Sequence, residues 1–146
     1  MNELVELPGF SLYAACSAVL VLKMMAVGTY TSILRIGRKR FATPEDYQMQ
    51  GLAPTTTPDE DIERVRRAHR NDLENILPFF LSGFLYVLAE PTVLGTRVCF
   101  LGFTAARILH SIFYIRAMQP HRTIAFMIGY VLLLWMTLVV LFHFGF

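Results

Sequence analysis

The sequence predicts an all-α integral membrane protein, a bundle of four transmembrane helices, and three observations carry that reading. The 146 residues are 55% hydrophobic, with a mean hydropathy of +0.49, too apolar for a typical soluble domain and too short for a second module. The apolar residues gather in blocks, three of which are near the ~20 residues needed to cross a hydrocarbon core. Finally, a charged run, Glu63 to Asn75, passes without a break into Ile76-Leu77-Pro78-Phe79-Phe80-Leu81. Charges at bilayer depth cost ~2.5–3.5 kcal/mol each on insertion scales, and persist where they face a protein interior or an ionic ligand.

The first block, Leu12 to Ile36, is interrupted only by Lys23 and Arg35 among charged residues. The segment before it carries Glu3 and Glu6 and lacks a basic n-region, so this span is expected to be an uncleaved anchor rather than a signal peptide. Residues 38–57, rich in Pro, Thr and Gly, read as an irregular loop. At its end Thr57 is the expected N-cap, with Pro58 at the first helical position and Glu60 completing a capping box. The second block, Leu73 to Ala89, is short unless its helix begins upstream in the charged run, so one helix is expected from Pro58 to Ala89, kinked at Pro78 and ended by Glu90-Pro91. A third span starts near Thr96 and contains Arg107 and His110. A turn at Gln119-Pro120 separates it from the fourth, Thr123 to Phe146, where His143 is the titratable residue. The expected organisation is one domain over 1–146, with spans at 10–37, 58–89, 96–117 and 122–145.

Arg35, Arg38, Lys39 and Arg40 follow the first span, and Arg116, His121 and Arg122 follow the third, whereas the second connection is poor in Lys and Arg. The positive-inside rule then puts the first and third loops in the cytoplasm and both termini outside. Cys16 and Cys99 fall inside spans, which excludes a disulfide framework or a cysteine metal site. A net charge of +2 with no basic tract gives no nucleic-acid face.

On the second helix Glu63, Arg67, Arg70 or Asn71, and Glu74 recur at steps of three and four and share a face, flanked by Arg66 and His69. On the third, Arg107, His110 and Tyr114 form a second polar stripe. Arg122 opens the fourth, where amides and helix dipole reinforce an anion site. Guanidiniums offer bidentate forks to carboxylates, Glu74 and Asn71 can receive an amine, and Tyr114 can donate to a developing anion. Glutathione, with two carboxylates, an amine and a thiol, fits that inventory. The charged run taken alone fits a salt-bridged juxtamembrane helix equally well. Lys23 and Arg107 read as structural, neutralised by Asp72 or Glu74. His69 and His110 lack a third ligand at metal-binding spacing, so no metal is expected.

The run Glu-Arg-Val-Arg-Arg-Ala-His-x-Asn-Asp-Leu-Glu-Asn at 63–75 resembles the signature of the membrane-associated proteins in eicosanoid and glutathione metabolism, the MAPEG superfamily. Lys23-Met24-Met25, Arg40 to Asp46, Ala106-Arg107-Ile108-x-His110-Ser111-Ile112-x-Tyr114 and Gln119-Pro120-x-Arg122-x-x-Ala125-Phe126 extend the resemblance over essentially the whole chain. It is most similar to the microsomal glutathione transferase branch and next to the prostaglandin E synthase branch.

The resemblance implies a homotrimer of four-helix subunits in lipid, binding glutathione between neighbours near the cytoplasmic face through Arg35, Arg66, Arg67, His69, Arg70, Asn71, Glu74, His110, Tyr114 and Arg122. It places the catalytic arginine on Arg122, with Asp46 as its partner in the synthase branch. The implied activity is attack of the glutathione thiolate on a lipophilic electrophile, or on a lipid hydroperoxide, in the endoplasmic reticulum membrane of a eukaryote or the plasma membrane of a bacterium. Phe126 matches the transferase branch, where the synthases have tyrosine, and Thr123 stands for a synthase serine. Tyr47 replaces a cysteine of some transferases, which removes thiol-triggered activation at that position. Prostaglandin H to E isomerisation and a non-catalytic, lipid-binding regulatory role are the rival readings.

Overall fold

The computed structural model describes residues 5–145. Five helices lie wholly within them: α1 (Phe10–Arg38), α2 (Pro44–Met49), α3 (Glu60–Leu88), α4 (Val93–Ile115) and α5 (His121–Phe144). The four long helices fall where the apolar blocks predict them. The short α2 corrects the expectation of an irregular 38–57 loop. Thr43 caps it by accepting from the Asp46 amide at 3.4 Å, Pro44 supplies the fixed φ of a first turn, and Glu45 and Asp46 favour its positive end. Tyr47 anchors α2, buried and edge-on to Phe41 at 5.2 Å.

The start of α3 also differs from the sequence reading. Asp59, not Thr57, is the N-cap, accepting from the Asp61 and Ile62 amides at 3.1 Å each. The cap is a tertiary contact as well as a local one, since Arg38 reaches from the end of α1 to Asp59 (2.6 Å) and Asp61 (2.7 Å). That guanidinium holds the Asp59 carboxyl below its usual range. Thr57 instead offers its carbonyl to Arg40 at 3.4 Å. From this cap α3 runs unbroken through the charged residues and Pro78 for 29 residues, about 43 Å of helix. The helix start expected near Thr96 lies three residues earlier, because Thr92 caps α4 through the Gly95 amide at 3.1 Å.

The long helices alternate in direction. α3 packs on α1, α4 and α5, while α4 packs on α5 and on α1. Their shared core holds Leu20, Ile76, Phe79, Phe100, Phe103 and Met136, with Cys16 and Cys99 both buried and free. Phe79 stacks on Phe103 at 4.4 Å and meets Phe100 edge-on at 5.9 Å, binding α3 to α4 by aromatic contact as well as buried area. The outside is apolar too: Leu22, Met25, Ile33, Leu77, Leu81, Leu94 and Phe142 are all more than half exposed. A surface of that kind belongs in hydrocarbon or against another copy, not in water. α1, α4 and α5 are each long and apolar enough to cross a bilayer, and the chain is an integral membrane protein.

Candidate functional site

Two polar groups occupy this apolar body, one buried within it and one at its end. The buried group is built around Asp72, which is 0% exposed. Lys23 from α1 forms an ion pair with it, and Ser111 from α4 donates to its two oxygens at 3.3 Å. Arg107, also 0% exposed, donates to Asn71 Oδ1 and to the Phe126 carbonyl, both at 3.2 Å. Its guanidinium lies 5.4 Å from the Phe126 ring centre. Gly129 makes room for it: a Cβ there would sit 2.8 Å from the guanidinium. Lys23 is therefore neutralised by Asp72 as the sequence led us to expect. Arg107 is held mainly by neutral acceptors, and Glu74 takes no part, since it lies exposed and pairs with no described residue. Asn75, which pattern reading passed over, is buried and donates to the Asn71 carbonyl at 2.7 Å.

The second group lies where α1 ends, α3 begins, α4 ends and α5 begins. Arg122, in the first turn of α5, stacks its guanidinium 4.5 Å above the Tyr114 ring of α4. Arg67 of α3 also faces Tyr114. The backbone carbonyl of Arg122 meets His110 Nδ1 at 3.0 Å, which ties the helix bearing the arginine to α4. The Gln119 amide braces it further: its oxygen accepts from Arg122 Nε at 3.1 Å and its nitrogen donates to Thr123 at 3.0 Å. Gln119 opens the Gln119-Pro120-x-Arg122 motif in the sequence, but nothing there marked it as a contact of the arginine. α5 begins without a side-chain cap; the Arg122 amide donates to the Met118 carbonyl at 3.1 Å, and the other first-turn amides lie at the helix's positive end.

Arg35, Arg66 and Arg67 line one cleft of about 460 Å³ between the end of α1, the 55–59 segment and α3. Asp46 lines an adjoining cleft of about 480 Å³, which it shares with Arg35. The arginines on α3 are held lightly: Arg66 pairs with Glu63 at 2.7 Å and Arg67 with Glu60 at 2.8 Å, all four partly or largely exposed. Arg70 and Glu74 are exposed and make no side-chain hydrogen bond or ion pair with any described residue.

Of the residues expected at one glutathione site, Arg35, Arg66 and Arg67 come together in the cleft, while Tyr114 and Arg122 join them through Arg67. Asn71 and His110 lie deeper, each with a polar atom engaged inside the subunit. His69 faces away, lining a groove with Met24, Met25 and Gly28. Among the described residues no group of His, Cys, Asp and Glu side chains is arranged to hold a metal ion.

Comparison with known sequences bears on what this arrangement belongs to. A model of the MAPEG family matches residues 13–142. The chain belongs to the MAPEG family. Among its MAPEG relatives, microsomal glutathione S-transferase 1 of Sus scrofa is 41% identical over 135 residues, covering 89% of this chain and 87% of that protein. The Homo sapiens protein of the same name is 40% identical over 126 residues, with 83% and 81% covered. Prostaglandin E synthase of Bos taurus is 41% identical over 121 residues, with 82% and 77% covered.

Proposed function

We propose that this MAPEG chain is a membrane-bound glutathione transferase that binds glutathione at the arginine-lined end of the bundle and presents its thiolate to lipophilic electrophiles. The observation that carries the reading is the Arg122 guanidinium held 4.5 Å above the Tyr114 ring where α4 ends and α5 begins, with Arg67 of α3 close enough to the same tyrosine to interact with it. That junction sits in a chain about 40% identical, over most of its length, to microsomal glutathione transferases. Arg35, Arg66 and Arg67 would take the two carboxylates, Glu74 the amine, and Arg122 the sulfur. Arg70 would complete the site, Asn71 and His110 would support it from within the subunit, and His69, which faces away on the α1 side, would meet a glutathione shared with a neighbouring copy. Several of these point outward from the subunit, and this supports a homotrimer with glutathione between neighbours.

The chemistry is thiol activation. A free thiol has a pKa near ~8.5, and the thiolate is the nucleophile. Lowering that pKa by about two units takes ~2.7 kcal/mol of preferential stabilisation of the anion, within reach of one guanidinium and an uncapped helix N-terminus. The sulfur then bonds to the electrophilic carbon, and the leaving group or a conjugated carbonyl takes the displaced electron pair. With a lipid hydroperoxide the thiolate attacks oxygen, and a second glutathione completes the reduction to alcohol, water and glutathione disulfide. All four long helices cross the bilayer in this reading, with the charged half of α3 at the cytoplasmic boundary; in a eukaryote the membrane is the endoplasmic reticulum.

Similarity to prostaglandin E synthase at the same level supports a second reading, isomerisation of prostaglandin H to E at this site. Asp46 separates the two. As a transferase, the Asp46→Asn variant keeps most of its turnover with an aryl halide and glutathione. An isomerase loses turnover severely on that change while still forming thiolate. If purified protein neither binds glutathione nor turns over either substrate, both readings fall and a regulatory role replaces them.

A further inference from the structure

Tyr130 lies on α5 two turns beyond Arg122, so the pair share a side of the helix. It is nine residues into a helix that begins at His121 and ends at Phe144, roughly 14 Å from one end and 21 Å from the other. Tyrosines of membrane proteins gather at the interfaces, where the hydroxyl reaches water or headgroups. Here the side chain is 48% exposed near mid-span, and its hydroxyl makes no hydrogen bond to any described residue. Hydrocarbon offers it no acceptor, and a hydroxyl left there without one is costly. The ring is nevertheless held in place, stacked on Phe126 at 6.1 Å and 18°. Phe126 in turn is fixed between Arg107 and His110. A fixed donor with no acceptor in its own subunit, opening from the side of α5 that carries the thiolate-binding arginine, points to an acceptor on a bound molecule.

Resting on the transferase reading, we infer that Tyr130 is a positioning residue for the lipophilic co-substrate, donating a hydrogen bond to an oxygen of that molecule remote from the carbon under attack. The eight-residue offset puts Tyr130 about 12 Å deeper along α5 than Arg122, too far to touch the sulfur. The co-substrate it suits is therefore an extended apolar molecule with a reactive centre at one end and a carbonyl, ester or hydroxyl oxygen part-way along its tail. A co-substrate with a plain alkyl tail leaves the hydroxyl without an acceptor and gains nothing from it.

The test compares two long-chain α,β-unsaturated aldehydes, one with an alkyl tail and one with a ketone in the tail, using full-length wild-type protein and the Tyr130→Phe variant in detergent or lipid. In wild type the ketone-bearing aldehyde has the lower KM. In Tyr130→Phe that preference shrinks by about five- to tenfold, the worth of one hydrogen bond, and the change falls on KM rather than kcat. An unchanged preference in the variant overturns the proposal while leaving the transferase reading standing. A variant that keeps the preference but loses oligomeric mass or thermal stability also overturns it, showing that the hydroxyl serves a neighbouring copy. Wild-type protein that forms no thiolate and conjugates neither aldehyde defeats the transferase reading and the proposal with it.

Discussion

The arginines of this protein live in two settings, and the contrast between Arg107 and Arg67 separates structure from ligand binding. Arg107 is 0% exposed, fixed by Asn71, the Phe126 carbonyl and the Phe126 ring, with Asp72 close by. Arg67 is 47% exposed, and its acidic partner Glu60, at 71%, is more exposed still. Both are long cations on helices of one bundle. The first is enclosed by acceptors from its own chain and can move only by disrupting the core. The second holds an exposed partner that water and salt screen, so an incoming carboxylate can replace it. Burial, rather than residue type, decides which arginine is locked into the fold and which is free to meet a ligand.

The largest expected effect comes from breaking the buried setting. Asp72→Asn leaves Lys23 and Arg107 together without their carboxylate, and losing one partner of a buried pair costs about 3–5 kcal/mol. Thermal unfolding in detergent should show a much lower midpoint or no folded protein. A variant as stable as wild type would mean that the pair is not what neutralises Lys23.

A smaller effect follows from crowding the same cation. In Gly129→Ala the new methyl group falls within 2.8 Å of the Arg107 guanidinium, which must leave its acceptors or push α5 away. Overpacking of this kind costs about 1–3 kcal/mol, to be read by denaturant or thermal unfolding. Wild-type stability would show that Arg107 is freer than its burial indicates.

The smallest change in stability sharpens the other side of the contrast. Glu60→Gln with Glu63→Gln releases Arg67 and Arg66 from exposed, solvent-screened partners, and the unfolding midpoint should stay close to that of wild type. Glutathione affinity, measured by calorimetry, should rise by up to about fivefold as competition for the guanidiniums disappears. Weaker binding would mean that the two glutamates orient the arginines instead of occupying them.

Much of this was legible from residue order. Apolar blocks of span length placed the long helices, and Lys23 inside one block called for a buried carboxylate, which Asp72 supplies. What was missed depends on partners remote in sequence. Thr57-Pro58 has the local form of a helix start, yet Asp59 caps α3, and Arg38, 21 residues earlier, binds that carboxylate. Thr43-Pro44-Glu45 carries the same local form and does start a helix, but the surrounding Gly, Pro and Thr made the segment read as a loop. In the candidate site, periodicity put Arg67 and Tyr114 on polar faces of their helices, and the boundary of the last span put Arg122 at a helix start. It could not reveal that Asn71 spends its carbonyl oxygen on Arg107, that His69 turns toward α1, or that Gln119 braces the arginine.

The most direct test of the account is the ultraviolet difference absorbance of glutathione thiolate on purified protein, wild type against Arg122→Ala. Wild type should give a thiolate signal at neutral pH, and the variant should lose it while remaining folded. A signal of equal size in both would remove Arg122 from the sulfur, and no signal in folded wild-type protein would contradict thiol activation altogether.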